Sequence, residues 1–351
     1  MTWVTQLARP DIVALKAYEH AAWEPDLERL HANELPWRSL ADRSSAGLNR
    51  YPEPQPRALV QRLAALYDVP ANSVLVGRGS DEAIDLLVRG FCRAGQDSVI
   101  ICPPTFGMYS VSARIQGANV ITVPLRADAG FAFDLEGVLE KCTAAVKLVF
   151  LCSPNNPTGN LLSEDAIINL TRRLEARAMV VVDEAYIEFA GARSLAQRVA
   201  EFPQLAVLRT LSKAYALAGA RCGTLIADPE VITLLRKVIP PYAIAQLSME
   251  AVLNVLEPAQ LAVSSNRLAT IIAERDRMAS ILATLPNVTR VWPSASNFVL
   301  VEFADVPLAL ARSRGARLLI RDARGYPGLG HCLRITIGAP EQNDRLLEAL
   351  R

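Results

Sequence analysis

Long apolar runs are missing from this 351-residue chain: no stretch approaches the roughly 20 continuous apolar residues of a membrane-spanning helix, so none is expected. Histidine is scarce, at three, and the six cysteines (Cys92, Cys102, Cys142, Cys152, Cys222, Cys332) are scattered without a Cys-x-x-Cys pair. A metal site and a disulfide framework are therefore not expected, and the pattern fits the reduced, buried thiols of a cytoplasmic protein. Neither charge is in excess, with 37 Lys and Arg against 36 Asp and Glu. A basic stripe suited to nucleic acid is absent as well. Met1-Thr-Trp-Val-Thr-Gln-Leu-Ala-Arg-Pro10 has no basic segment followed by a long apolar one, so no signal peptide is read. What is present is an ordinary soluble composition, 51% hydrophobic, in a chain long enough for a large core with a smaller one beside it.

Residues 1–49 read as an irregular arm: a short helical piece near 11–18, then Trp23-Glu-Pro-Asp26 and His31-Ala-Asn-Glu-Leu-Pro36. Such an arm packs on another domain or subunit. Arg50-Tyr-Pro-Glu-Pro-Gln-Pro56 is stiffened by proline and fixes Tyr51 ahead of a helix over 57–67. Near-continuous apolar segments at 98–102, 119–123, 146–152, 178–182 and 205–208 alternate with helical patterns such as 163–176. They predict a mostly parallel sheet covered on both faces, a three-layer α/β/α domain over 50–240. Beyond it, long helices at 243–256 and 260–285 and short strands at 288–292, 297–302, 317–320 and 333–337, with a helix at 306–314, predict a smaller α/β domain over 241–351.

Active groups of a parallel sheet belong at its C-terminal strand ends, and the polar motifs fall there. Val74-Leu-Val-Gly-Arg-Gly-Ser-Asp-Glu82 reads as a strand, a glycine turn and a helix opened by Ser80 and Asp81, whose free N–H groups favour phosphate. Glu82 stands where the third glycine of Gly-x-Gly-x-x-Gly would be, so the dinucleotide fingerprint is incomplete. Cys102-Pro-Pro-Thr-Phe-Gly-Met-Tyr109 offers Phe106 and Tyr109, Ser153-Pro-Asn-Asn-Pro-Thr-Gly159 offers Asn156, and Asp183-Glu-Ala-Tyr186 offers a carboxylate and a phenol. Arg209-Thr-Leu-Ser-Lys-Ala-Tyr-Ala-Leu-Ala-Gly-Ala-Arg221 sets Lys213 among Thr210, Ser212 and Arg221. Singly, Lys213 reads as a solvated lysine, Asn156 as a turn former and Tyr51 as ordinary packing. Together the motifs supply a pyridoxal-phosphate site. Asp183 keeps the pyridine nitrogen protonated, Tyr186 and Asn156 bond to the ring hydroxyl, Lys213 attaches the cofactor and moves the substrate proton, and Tyr109 stacks on the ring. Arg334, inside Cys332-Leu-Arg-Ile-Thr-Ile337, asks for an anionic partner.

Those segments, with Gly79-Ser-Asp-Glu-Ala-Ile-Asp-Leu86, span nearly the whole chain and resemble the histidinol-phosphate aminotransferases, within the aspartate-aminotransferase-like (fold type I) pyridoxal-phosphate enzymes. The resemblance implies a homodimer in which Tyr51 reaches the cofactor phosphate of the neighbouring subunit. It assigns Ser80, Asp81, Thr210, Ser212 and Arg221 to that phosphate, and Tyr18, Asn33, Tyr109, Asn156, Arg321 and Arg334 to the substrate side. It also implies transamination between L-histidinol phosphate and 2-oxoglutarate, in histidine biosynthesis. Leu35 departs from the proline usual after Asn-Glu in this family, which bears on the path of the arm. Three rival readings share parts of this frame: an aromatic amino acid aminotransferase, a decarboxylase of a phosphorylated amino acid, and a ligand-sensing module lacking catalysis.

Overall fold

Strands that are covered on both faces need apolar side chains pointing both ways, and the Val, Ile and Leu runs of this chain provide them. In the computed structural model, which describes residues 3–20, 22, 24 and 27–351, they become β1 (Val74–Gly77), β2 (Ser98–Ile101), β3 (Asn119–Thr122), β4 (Val146–Cys152), β5 (Met179–Asp183), β6 (Leu205–Thr210) and β7 (Gly223–Ile226). The expected arm positions Trp23, Pro25 and Asp26 lie outside the described residues. One seven-stranded sheet results, in the order β1-β7-β6-β5-β4-β2-β3. β3, β2, β4, β5 and β6 are mutually parallel, and β7 runs antiparallel to both β6 and β1.

Period-two alternation divides the core. Val180, Val182 and Val207 face the helices Arg57–Tyr67 and Glu164–Arg173, whereas Met179, Val181 and Leu208 face Ser80–Phe91 and Pro229–Leu235. A second sheet, antiparallel throughout, is built from β8 (Val288–Val291), β9 (Phe298–Phe303), β10 (Arg321–Asp322) and β11 (Cys332–Thr336) in the order β10-β11-β9-β8. Met278 and Leu282 of the helix Pro258–Leu282 and Leu346, Leu347 and Leu350 of Pro340–Leu350 close a core over it.

Two expectations change. The strand at 317–320 does not form: Arg317 takes a left-handed φ of 58° and Leu319 is 84% exposed, so pairing starts only at Arg321. β7, for which the sequence carried no expectation, decides the site's layout, because Gly223 pairs with Gly77 on one side and Thr210 on the other. Within the arm, the helix is Pro10–Ala14 and stops short of Tyr18.

Candidate active site

The register brings the motifs to one edge. Cys152 lies beside Asp183 and Asp183 beside Leu208, so the loops that follow β4, β5 and β6 leave the sheet side by side. Gly79, at φ 90°, starts the helix Ser80–Phe91, and a Cβ on Gly223 would run into the backbone of Gly79 and Ser80. That close approach seats the helix N-terminus, a natural anion site, against the Lys213 loop. Arg221 completes the corner: its guanidinium lies 3.4 Å from Asp81, donates to Ala218 O at 3.1 Å and reaches Ser212 Oγ at 3.5 Å. Thr210 Oγ1 donates to Ser212 Oγ at 3.0 Å.

Asp183 forms the floor. It is 3% exposed and accepts hydrogen bonds from Tyr109 Oη at 2.8 Å and Ala185 N at 3.1 Å. Burial raises its pKa to about 6 against the opposing pull of those donors. Lys213 lies below the usual lysine range, first through burial and then through repulsion from Arg334. Its Nζ sits 5.7 Å from the centre of the Tyr186 ring. Asn156 Nδ2 donates to Tyr186 Oη at 3.3 Å, and Arg334 Nη1 donates to Asn156 Oδ1. The Arg334 guanidinium lies 5.1 Å over the Phe298 ring, and its Nε is buried without a hydrogen-bond partner among the described residues. A cation so placed favours an anionic ligand.

A cavity of about 340 Å³ collects Ser80, Asp81, Asn156, Asp183, Tyr186, Thr210, Ser212, Lys213, Arg221, Arg321 and Arg334. A larger one, about 590 Å³, is lined by Tyr18, His20 and Arg57 among others and holds none of that chemistry. Four expected residues are not brought in. Tyr109 is fully buried behind Asp183, stacked on Phe150 at 5.0 Å, and Phe106 lines the cavity in its place. The cause is helical geometry: Met108–Gln116 begins just before Tyr109, which shares the buried face with Ser112 and Ala113 three and four residues on. Tyr18 is 73% exposed, Asn33 is exposed, and Tyr51 stacks on Tyr242 at 4.5 Å, all outside the cavity of their own chain. Sequence reasoning also missed Cys152 and Tyr326 as lining residues. Tyr326 sits in a Gly- and Pro-rich loop without periodicity to mark it.

The donor set fits pyridoxal phosphate. A buried carboxylate whose ionised form lacks a cation at hydrogen-bond distance suits a pyridinium nitrogen, and Ser212, Thr210 and Arg221 at the helix terminus suit a phosphate. A helix-terminal anion corner, a lysine and a buried carboxylate at the carboxyl edge of a mostly parallel sheet define a fold type I pyridoxal-phosphate enzyme.

The profile of the aminotransferase class I and II family matches residues 27–350. Histidinol-phosphate aminotransferase of Stenotrophomonas maltophilia is 48% identical over 99% of this chain and 96% of its own length. Among solved structures, histidinol-phosphate aminotransferase from Sinorhizobium meliloti in complex with pyridoxal-5'-phosphate aligns with a TM-score of 0.78 at 26% identity, over 86% of this chain and 82% of that one. L-threonine-O-3-phosphate decarboxylase from Porphyromonas gingivalis aligns at 0.73 and 27%, over 86% and 92%. The chain belongs to the class I and II aminotransferases and, within them, to the histidinol-phosphate aminotransferase family.

Proposed function

We propose that the chain, with pyridoxal phosphate as cofactor, transfers an amino group between L-histidinol phosphate and 2-oxoglutarate, giving imidazole-acetol phosphate and L-glutamate. The observation that carries this reading is one cavity with two separate cationic groups around Lys213: Arg221 at the helix terminus, and Arg321 with Arg334 from the second sheet. The first suits the cofactor phosphate and leaves the second for the substrate.

Pyridoxal phosphate, when bound, supplies the electron sink for breaking a bond at the substrate α carbon. With the cofactor bound, Asp183 would favour a proton on the ring nitrogen, and Asn156 and Tyr186 would hydrogen-bond to the ring oxygen. Lys213 Nζ, its pKa lowered, is more readily the neutral amine that takes the α proton of the amino donor. Histidinol phosphate has no α-carboxylate, so Arg334 is free to hold the carboxylate of glutamate in one half-reaction and, with Arg321, the phosphate in the other. The working unit is a cytoplasmic homodimer in which Tyr51 serves the partner's cofactor phosphate and Tyr18 and Asn33 border the substrate.

The deciding measurement compares kcat/KM for histidinol phosphate, phenylalanine and tyrosine with 2-oxoglutarate as acceptor. Histidinol phosphate is expected to lead; parity or preference for phenylalanine makes the chain an aromatic aminotransferase. The decarboxylase neighbour motivates a second assay, in which phosphothreonine releasing carbon dioxide without glutamate formation overturns the transaminase reading.

A further inference from the structure

Arg321 and Arg334 are cross-strand partners on β10 and β11. Directly opposed residues project to the same side of a sheet, so both guanidiniums reach the cavity as one patch. Neither forms an ion pair with a carboxylate among the described residues.

The loop between these strands adds one more group. Tyr326 is held there by its own N–H, which donates to Ala323 O at 3.1 Å, and by Leu329 N–H, which donates to Tyr326 O at 3.2 Å. Ala323 and Leu329 are buried, at 0% and 1% exposure, which anchors the loop. The Tyr326 ring packs half-buried against the main core and lines the cavity, while its hydroxyl makes no hydrogen bond among the described residues. Arg321, Tyr326 and Arg334 are the residues that the second-sheet segment contributes to this cavity.

We infer that the Tyr326 hydroxyl is a third donor to the phosphate of the amino donor, separating a phosphate monoester from a carboxylate at this subsite. The inference rests on the substrate reading above and extends it. A guanidinium fork satisfies a planar carboxylate with two parallel hydrogen bonds. A phosphate monoester presents three terminal oxygens in three directions, so a patch of two arginines leaves room for a further donor. A neutral hydroxyl on an anchored loop supplies it without a third uncompensated cation, and its ring is already ordered by packing.

Tyr326→Phe keeps the ring and removes one oxygen. In the holoenzyme, kcat/KM for L-histidinol phosphate is expected to fall about tenfold, mostly through KM, as for a lost hydrogen bond to a charged group, while the glutamate half-reaction changes less than about twofold. Inorganic phosphate, used as a competitive inhibitor of the glutamate half-reaction, is expected to bind about tenfold more weakly to the variant. This second arm does not depend on which amino donor is natural, so it decides the role of Tyr326 even where the histidinol-phosphate reading itself fails. Unchanged inhibition by phosphate, or an equal loss for glutamate and phosphate, overturns the proposal.

Discussion

Lysine is rare in this chain, and the side-chain bonds of its five copies separate their roles. Lys16 pairs with Glu19, and Lys141, Lys147 and Lys237 donate to backbone carbonyls, whereas Lys213 projects into the cavity. Lys213→Ala is therefore expected to abolish turnover with the fold retained. Borohydride reduction of the holoenzyme followed by peptide mapping should place the tag on Lys213; a tag on another lysine refutes the assignment. Asp183 yields a pH prediction for the cofactor-free protein. Its folded pKa, about 6, lies above the ordinary 3.8, so between these values the folded state binds more protons than the unfolded one and stability falls as pH rises. Apoprotein should lose up to about 3 kcal/mol from this group across pH 4–6, and Asp183→Asn should not show that slope. Urea unfolding of both proteins over this range measures it, and parallel curves refute it. At this scale the sequence was readable where a motif fixes a residue type, as for Lys213, Asp183 and Asn156. It misled at Tyr109, because the choice between Phe106 and Tyr109 depends on where a helix starts, and helix ends are weakly encoded.

Among the elements, the inner parallel strands were legible because burial on both faces imposes apolar runs, while β7 was not, because it follows directly on the small residues of the lysine loop. Its function in the architecture is one of contact. Gly223 lies against the backbone of Gly79 and Ser80, which has no flexible side chain to yield, so a methyl there displaces the turn itself. Gly223→Ala is expected to destabilise the protein by about 1–3 kcal/mol and to weaken cofactor binding at least tenfold, since the displaced N–H groups belong to the phosphate corner. Gly315→Ala, where an added Cβ meets nothing within 4 Å, is the control and should stay within about 1 kcal/mol of the parent. Equal effects of the two substitutions in urea unfolding and cofactor titration would remove the argument. The absent strand at 317–320 belongs to the same lesson: its apolar residues suggested pairing, but Leu319 points to solvent and the chain enters the sheet only at Arg321.

For the whole molecule, the arm holds the remaining question. Leu30, Trp37 and Leu40, large apolar side chains on one short stretch of the arm, are 93%, 78% and 96% exposed in the single chain. Tyr51, half-exposed and stacked on Tyr242, is outside the cavity of its own chain. Both observations favour a second copy that covers the arm and receives Tyr51. Subunit mixing tests this without a structure of the dimer. If Tyr51 serves the partner, a mixed dimer of Lys213→Ala and Tyr51→Ala subunits contains one site with both defects and one with neither. Random re-association makes half of the dimers mixed, so about a quarter of the wild-type activity should return. The assay is run at a cofactor concentration where the Tyr51→Ala homodimer is largely empty. If Tyr51 instead serves its own chain, every site in the mixture carries one defect and no activity returns beyond that of the separate variants. Recovery thus requires both chain exchange and a shared site, so in a mixture whose exchange is established by co-purification of differently tagged subunits, its absence refutes the shared site.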